Sequence, residues 1–154
     1  MKTPEIKFRF PVLGFTPDQE FWGFPDLNTL TSCGPLTLKD NKQAGMELID
    51  ADGRRWIVRS IQRTGRAQPI LRWLVAHAVS TPQSRIEQEM DKLPSVSIAE
   101  IQARACASLE AFPEDYCADD ERAEVLEPLL AKVRSAKSVA RIFELLGLDS
   151  FMAY

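Results

Sequence analysis

Three arginines stand at regular intervals in one stretch of the chain, at Arg55, Arg59 and Arg63. On a β-strand, where side chains alternate between two faces, they would share one face with Ile57 and Ile61. Planar guanidinium groups bind carboxylates and phosphates, and arginines are frequent at protein interfaces. The spacing therefore predicts a partner-binding face. The alternative is that the arginines lie over the two isoleucines with their charged ends in water.

Nucleophilic catalysis would have to use His77, the single histidine of the chain. Cys33 is the best thiol for a Cys–His pair, because it stands beside a Gly-Pro turn. The triplet Cys33-Gly34-Pro35 matches half of a thioredoxin-type motif, but Leu36 follows where a resolving cysteine would be needed. His77 also falls on the apolar face of a predicted helix, which favours a hydrogen-bonded core residue. The sequence therefore predicts no catalytic residue.

Acidic residues are concentrated between positions 114 and 127, where Arg122 is the only countercharge. The simplest interpretation is a solvated helix start, where the helix dipole favours anions. The alternatives are docking of a basic partner, or pairing with the arginine strand in the same molecule or in a second copy. No metal site is expected, because the acidic spacing matches no calcium loop and one histidine supplies too few ligands. No cofactor is expected, because the glycines are dispersed.

Aromatic residues cluster between prolines near the N-terminus, at Phe15, Phe21, Trp22 and Phe24. The prolines argue against regular structure over residues 15–25, so an aromatic-rich loop packed on the body of the protein is predicted. If the loop is exposed, it is an apolar patch of the kind that binds partners. If it packs across the sheet, it is core. On the first of these alternatives, Trp22 and Phe24 are predicted to bind the partner together with the arginines.

A β-hairpin over residues 46–63 is the clearest predicted element, and it positions the arginines. Asp52-Gly53 separates two β-rich runs, and a glycine there can take the positive φ of a tight turn. Residues 63–66 are predicted to form a turn. Further strands are predicted over residues 6–10, where apolar and basic residues alternate, over residues 36–39, and over residues 85–93, where a helix is the alternative.

Helices are predicted to dominate the second half of the chain. One runs from Pro69 through about Val79. Ser97 and Glu100 form a capping box for the next, which stops before Pro113.

The remaining helical patterns complete the predicted fold. Asp119 begins one that Pro128 should kink or divide into two short helices. Ser138 caps the last, with Gly147 as its C-cap. Because strands come first and helices later, the sequence predicts an α+β fold. Its antiparallel sheet comes mainly from the N-terminal half, and the helices that cover it mainly from the C-terminal half.

Size and charge limit the classes of function. A chain of 154 residues predicts a single α+β domain over 1–154, strand- and loop-rich over 1–66 and helix-rich over 67–154. The net charge of −3 makes a nucleic-acid partner unexpected. No apolar stretch is long enough for a membrane span, so no membrane partner is expected. The three cysteines form no CxxC, which favours reduced thiols in the cytoplasm.

These observations favour a small cytoplasmic protein-binding module, such as a stoichiometric inhibitor, an immunity-type neutraliser or an adaptor. The alternative is a small-ligand-binding domain or enzyme with an anion-binding pocket near Arg55, Arg59 and His77. A cavity lined by convergent polar groups would favour this alternative. A third hypothesis is a structural subunit, for which a homo-oligomer is possible.

Overall fold

The computed structural model describes residues 1–66 and 83–147. Within these residues there are six strands and five α-helices. The strands are β1 Val12–Phe15, β2 Phe21–Phe24, β3 Ser32–Cys33, β4 Glu47–Ile49, β5 Arg55–Arg66 and β6 Ser84–Leu93; the α-helices are α1 Leu27–Leu30, α2 Pro35–Lys39, α3 Ile98–Ala111, α4 Glu127–Ser135 and α5 Val139–Leu146. The strands form one antiparallel sheet in the order β2-β1-β4-β5-β6-β3.

The predicted α+β class is confirmed, with the sheet built mainly from the N-terminal half. The predicted helix over 69–79 and His77 lie outside the described residues.

The predicted hairpin is confirmed, and its turn is built around Asp50. The buried Asp50 carboxylate accepts hydrogen bonds from the backbone N–H groups of Asp52 and Arg54, each at 3.0 Å. Gly53 has a φ of +77°, and a Cβ there would lie 2.8 Å from the carbonyl oxygen of Val96. The turn therefore needs glycine for its conformation and for the close approach of the Val96 backbone.

Two predictions near the N-terminus are wrong. The predicted aromatic loop over residues 15–25 is largely part of the sheet, because Phe15 ends β1 and residues 21–24 form β2, with Phe15 opposite Phe21. Residues 16–20 form the turn between the two strands. The prolines lie outside these strands, so they end them without removing ladder hydrogen bonds. The predicted strand over residues 6–10 belongs to none of the six strands. Its alternation is nevertheless real, because Ile6 is buried and Phe8 half-buried against the sheet while Lys7 and Arg9 are exposed.

Two further predictions are corrected within the sheet region. Residues 36–39 lie in helix α2, not in a strand. Residues 63–66 belong to β5 and do not form a turn. The predicted strand over residues 85–93 is confirmed as β6, which pairs with β5 along its whole length.

The sheet is buried on both faces. On one face Leu13 and Ile49 pack against helices α3, α4 and α5. On the other face Leu48, Trp56 and Met90 pack against the N-terminal segment. Because side chains alternate along a strand, this arrangement assigns the odd-numbered residues of β4 to the helices and Leu48 to the opposite side.

The predicted helix caps in the second half are confirmed. The Ser97 hydroxyl accepts from the Glu100 N–H at the start of α3, and the Ser138 hydroxyl accepts from the Arg141 N–H at the start of α5. Gly147 ends α5 in the left-handed conformation. Pro128 lies in the first turn of α4, after 3-10 and π turns over residues 119–126, so the helical pattern is divided as predicted.

Candidate functional site

A β-bulge interrupts the row of arginines. Val58 lies opposite Met90, and Ser60 lies opposite Glu89, although Met90 and Glu89 are adjacent on β6. Arg59 is therefore an extra residue on β5 with no cross-strand partner of its own.

The bulge reverses which face the later residues of β5 occupy. Arg55 lies opposite Leu93, whereas Arg63 lies opposite Ile86. Arg63 follows Arg55 by eight residues on β5, which is an even number, whereas Ile86 precedes Leu93 by seven residues on β6, which is an odd number. Since faces alternate along β6, Arg55 and Arg63 lie on opposite faces of the sheet. The prediction that all three arginines share one face is wrong, because one inserted residue shifts the alternation.

The three arginines also differ in their surroundings. Arg55 is only 17% exposed, and its Nη1 lies 3.2 Å from Glu47 Oε2. Arg59 is 56% exposed and donates from Nε to Asp91 Oδ2 at 2.6 Å. Arg63 is exposed and forms no ion pair with any residue that the structure describes. Arg55 therefore belongs to an internal network, while Arg59 and Arg63 are at the surface.

The aromatic cluster lies in the core. Phe24 is only 4% exposed, and Trp22 is half-buried against the same hydrophobic cluster. On the other face of the sheet Phe15 and Phe21 meet edge to face, with ring centroids 4.8 Å apart. Phe24 is therefore not part of the accessible surface, and Trp22 is only partly accessible.

Glu47 is the centre of an ionic network that connects the sheet to helix α3. Its Oε2 accepts from Nη1 of both Arg55 and Arg104, at 3.2 Å and 2.8 Å. Burial of the Glu47 carboxyl would raise its pKa, but the two arginines outweigh this and hold the pKa below its usual range. Glu47 and Arg104 were not among the predicted site residues. The i,i+4 pair Glu100–Arg104 is visible in the sequence, but the contact with β4 is not.

A half-open cleft of about 270 Å³ lies beside this network. One wall is the turn after β1, and the other is helix α3. The Arg104 guanidinium lies 5.7 Å from the centre of the Phe15 ring. Gly45, with a φ of +80°, allows the Pro17 ring to approach closely, since a Cβ there would lie 2.9 Å from it. The lining residues are Phe15, Thr16, Pro17, Gln19, Gly45, Glu47, Arg104 and Ala107.

Burial disfavours the thiolate form at two of the three cysteines. Burial raises the pKa of Cys33 to about 11 and also raises the pKa of Cys106. A thiol with a raised pKa has little of the thiolate that acts as nucleophile near neutral pH. The three cysteines form no disulfide with one another, and Cys117 is half-buried.

The acidic segment is a solvated surface. Its carboxylates are exposed, and Arg122 pairs with Asp119 at 3.1 Å. Burial and the neighbouring Glu114 raise the pKa of Asp115. Among the described residues no ion pair joins this segment to the arginines of β5, which use Glu47 and Asp91 instead. The seven acidic residues are Glu114, Asp115, Asp119, Asp120, Glu121, Glu124 and Glu127.

Two searches of residues 1–66 and 83–147 gave negative results. No group of three or more His, Cys, Asp or Glu side chains there is placed to hold a metal ion. No helix in those ranges combines the length and apolar character needed to cross a bilayer.

Comparison with known proteins gave no relative. No family model, no curated protein and no solved structure matches the chain.

Proposed function

We propose that this chain is a small cytoplasmic protein-binding module that acts by occupying a partner, as an inhibitor, an immunity-type neutraliser or an adaptor. Its binding face is the outer hairpin, defined as residues 59–66 of β5 and residues 84–91 of β6. The observation that supports this proposal is the exposure of this region. Arg59, Ser60, Gln62 and Arg63 are all exposed, whereas Arg55 and Trp56 on the same strand are half-buried or buried.

The charges of the outer hairpin favour a partner that brings carboxylates. The acidic side chains of β6 already have cationic neighbours: Glu87 pairs with Lys2, and Asp91 pairs with Arg59. Arg63 has no carboxylate partner among the described residues, and the described partners of Arg85 are the neutral residues Asn28, Thr31 and Ser32. The surface therefore has surplus arginines, and arginine forms paired hydrogen bonds with carboxylates.

The Arg59–Asp91 pair contributes little to folding, which leaves it available for binding. Both side chains are 56% exposed. Surface pairs of this kind contribute about 0–1 kcal/mol, because water and salt screen them. A partner can therefore exchange its own carboxylate for Asp91 at low cost.

The edge of β5 away from β6 adds a second means of binding. Beyond Val58 no described strand pairs with this edge, although helix α2 contacts β5. Exposed strand edges are the sites at which a partner strand can add to a sheet through main-chain hydrogen bonds.

Quantitative affinity capture from a lysate of the native cells tests the proposal. The double variant Arg59→Glu/Arg63→Glu is compared with wild type, at matched salt. Arg55 is left unchanged, because its reversal would disrupt the Glu47 network. The matched control is Arg134→Glu/Arg141→Glu, since these helical arginines are 58% and 54% exposed and the net charge changes equally.

We expect a stoichiometric protein to be captured by wild type and control and reduced at least about tenfold by the outer-hairpin variant. A tenfold reduction corresponds to about 1.4 kcal/mol, the scale of one or two charge-assisted hydrogen bonds. Circular dichroism verifies that all three proteins are folded. Equal capture by the two variants would show that the outer hairpin is not the binding face.

A further inference from the structure

The cleft beside Glu47 is lined by both polar and apolar groups. Arg104 and Glu47 are its charged residues, Thr16 and Gln19 are neutral and polar, and the apolar surface comes from Phe15, Pro17 and Ala107. Its volume of about 270 Å³ is slightly below the range of roughly 300–1,000 Å³ that is typical of ligand pockets. The cleft therefore suits a ligand smaller than a nucleotide, with one polar group and one apolar group.

Arg104 has hydrogen-bond donors to spare at this cleft. A guanidinium group carries five N–H donors. Glu47 takes one from Nη1 at 2.8 Å and one from Nη2 at 3.5 Å. The nearest described acceptor to Nε is Glu100 Oε1 at 3.8 Å, which is too far for a hydrogen bond. The edge formed by Nε and the second N–H of Nη2 therefore makes no hydrogen bond to a described residue, although Glu100 forms an ion pair with Nε.

The charge of the network favours an anion at this position. Two arginines share the single carboxylate of Glu47, and all three side chains are at least two-thirds buried, which weakens solvent screening. Glu100 offers only partial compensation, because it is 49% exposed and not hydrogen-bonded to Arg104.

We propose that the cleft binds a small carboxylate with an apolar body. Its carboxylate accepts two parallel hydrogen bonds from Nε and Nη2 of Arg104, the paired geometry that suits arginine. Its apolar body lies against Pro17 and Ala107. This site lies apart from the outer hairpin, so it is independent of the partner-binding proposal. It also differs from the pocket that the sequence suggested near Arg55, Arg59 and His77, because Arg104 supplies the binding group.

Isothermal titration calorimetry of the full chain with three probes tests the chemistry. The probes are phenylacetate, its neutral analogue phenylacetamide and the cation phenethylamine, which share an aromatic ring and differ in charge. We expect saturable binding of phenylacetate with a Kd of about 1 mM or tighter, and at least about tenfold weaker binding of the other two. Failure to saturate with phenylacetate, or equal binding of phenethylamine, would overturn the proposal.

Substitutions on one helix assign the binding to this cleft. Arg104→Gln should weaken phenylacetate binding at least about tenfold. Glu100→Gln should strengthen it by a few-fold, because the competing carboxylate is removed. Ala107→Phe should block the cleft and abolish binding, and it leaves all the ion pairs in place. Ala103→Phe is the matched control, because Ala103 is also exposed on α3 but does not line the cleft.

A further titration distinguishes two kinds of ligand that would present the same groups. A free acid and the C-terminal residue of a peptide both present a carboxylate and an apolar group. The tripeptide Gly-Gly-Phe and its C-terminal amide are titrated alongside phenylacetate. Tighter binding of the acid tripeptide than of phenylacetate would identify a peptide terminus, and the reverse order a free acid. Binding of any probe that Ala107→Phe leaves unchanged would exclude the cleft and overturn the proposal.

Discussion

The inner and outer parts of the β5–β6 hairpin use arginine in opposite ways. In the inner hairpin, residues 55–58 of β5 and 92–93 of β6, Arg55 is 17% exposed and shares Glu47 with Arg104 of helix α3. In the outer hairpin, Arg59 is 56% exposed and pairs with Asp91 on the neighbouring strand. The two arginines stand on the same strand, yet one connects two layers of the fold and the other is at its surface.

The difference comes from the neighbours of each arginine. Helix α3 covers the sheet at Glu47 and supplies a second arginine, which confines all three side chains. At Arg59 the bulge inserts one residue and the side chain is exposed to water. An ion pair is stronger where water is excluded, so the same pair of charged groups has a larger effect in the inner hairpin.

The largest effect on stability is expected at the turn that begins the inner hairpin. Asp50→Ala removes a fully buried carboxylate that accepts from three backbone N–H groups and contacts Arg54 at 2.6 Å. We expect a loss of about 3–5 kcal/mol in the free energy of unfolding, measured by urea denaturation. The control is Asp52→Ala in the same turn, which is 54% exposed and should cost less than about 1 kcal/mol. Equal losses would show that the turn does not depend on burial of Asp50.

The next effect is expected at Glu47. Glu47→Gln weakens the bridge between β4, β5 and α3, and we expect a loss of about 1–3 kcal/mol at pH 7. Because the folded protein holds the pKa of Glu47 below the usual glutamate value of 4.5, the contribution of Glu47 to stability is present above pH 4.5 and is lost as the pH falls through the folded pKa. Denaturation curves of wild type and Glu47→Gln from pH 7 to pH 3 should therefore converge on acidification. A constant difference across this range would contradict the ionic explanation.

Smaller losses of stability are expected from substitutions of Arg55 and Arg59, and they allow a direct comparison of the two arginines. Arg55→Gln should cost about 1–2 kcal/mol, because it leaves Glu47 with one arginine and removes the hydrogen bond from Nε to the Pro94 carbonyl at 3.1 Å. Arg59→Gln should cost less than about 0.5 kcal/mol. Urea denaturation of both variants under one condition measures the contrast. If Arg59→Gln costs as much as Arg55→Gln, the outer hairpin is not the solvated surface inferred here.

Elements with local signals were predictable from the sequence. The turn at Asp52-Gly53, the helix caps Ser97 and Ser138, and the division near Pro128 depend on residues within one turn of each other. The strands β1 and β2 were not predictable in the same way. Each has four residues between prolines, and β1 is stabilised by pairing with the distant strand β4. Their structure depends on this pairing, and the partner strand cannot be recognised from local patterns in a single sequence.

The candidate sites depend even more on long-range contacts. The bulge at Arg59 contains no glycine and has no clear local signature, yet it decides on which face Arg63 lies. The network at Glu47 depends on Arg104, which is distant in the chain and reaches Glu47 only after α3 packs on the sheet. The sequence therefore identified the arginines as notable but could not assign them to interior or surface.

The smallest expected effect is a difference in salt dependence between the two regions. Double-mutant cycles for Arg59–Asp91 and for Arg104–Glu47 measure the coupling energy of each pair. We expect about 0.5 kcal/mol for the outer pair at 0.05 M NaCl and a value near zero at 1 M, where the Debye length falls to about 3 Å. The inner pair should keep most of its coupling energy, because its two side chains are only 30% and 25% exposed and lie in contact. If both couplings fell in the same proportion, the two regions would be equally solvated, and burial by α3 would not explain why Arg55 and Arg59 differ.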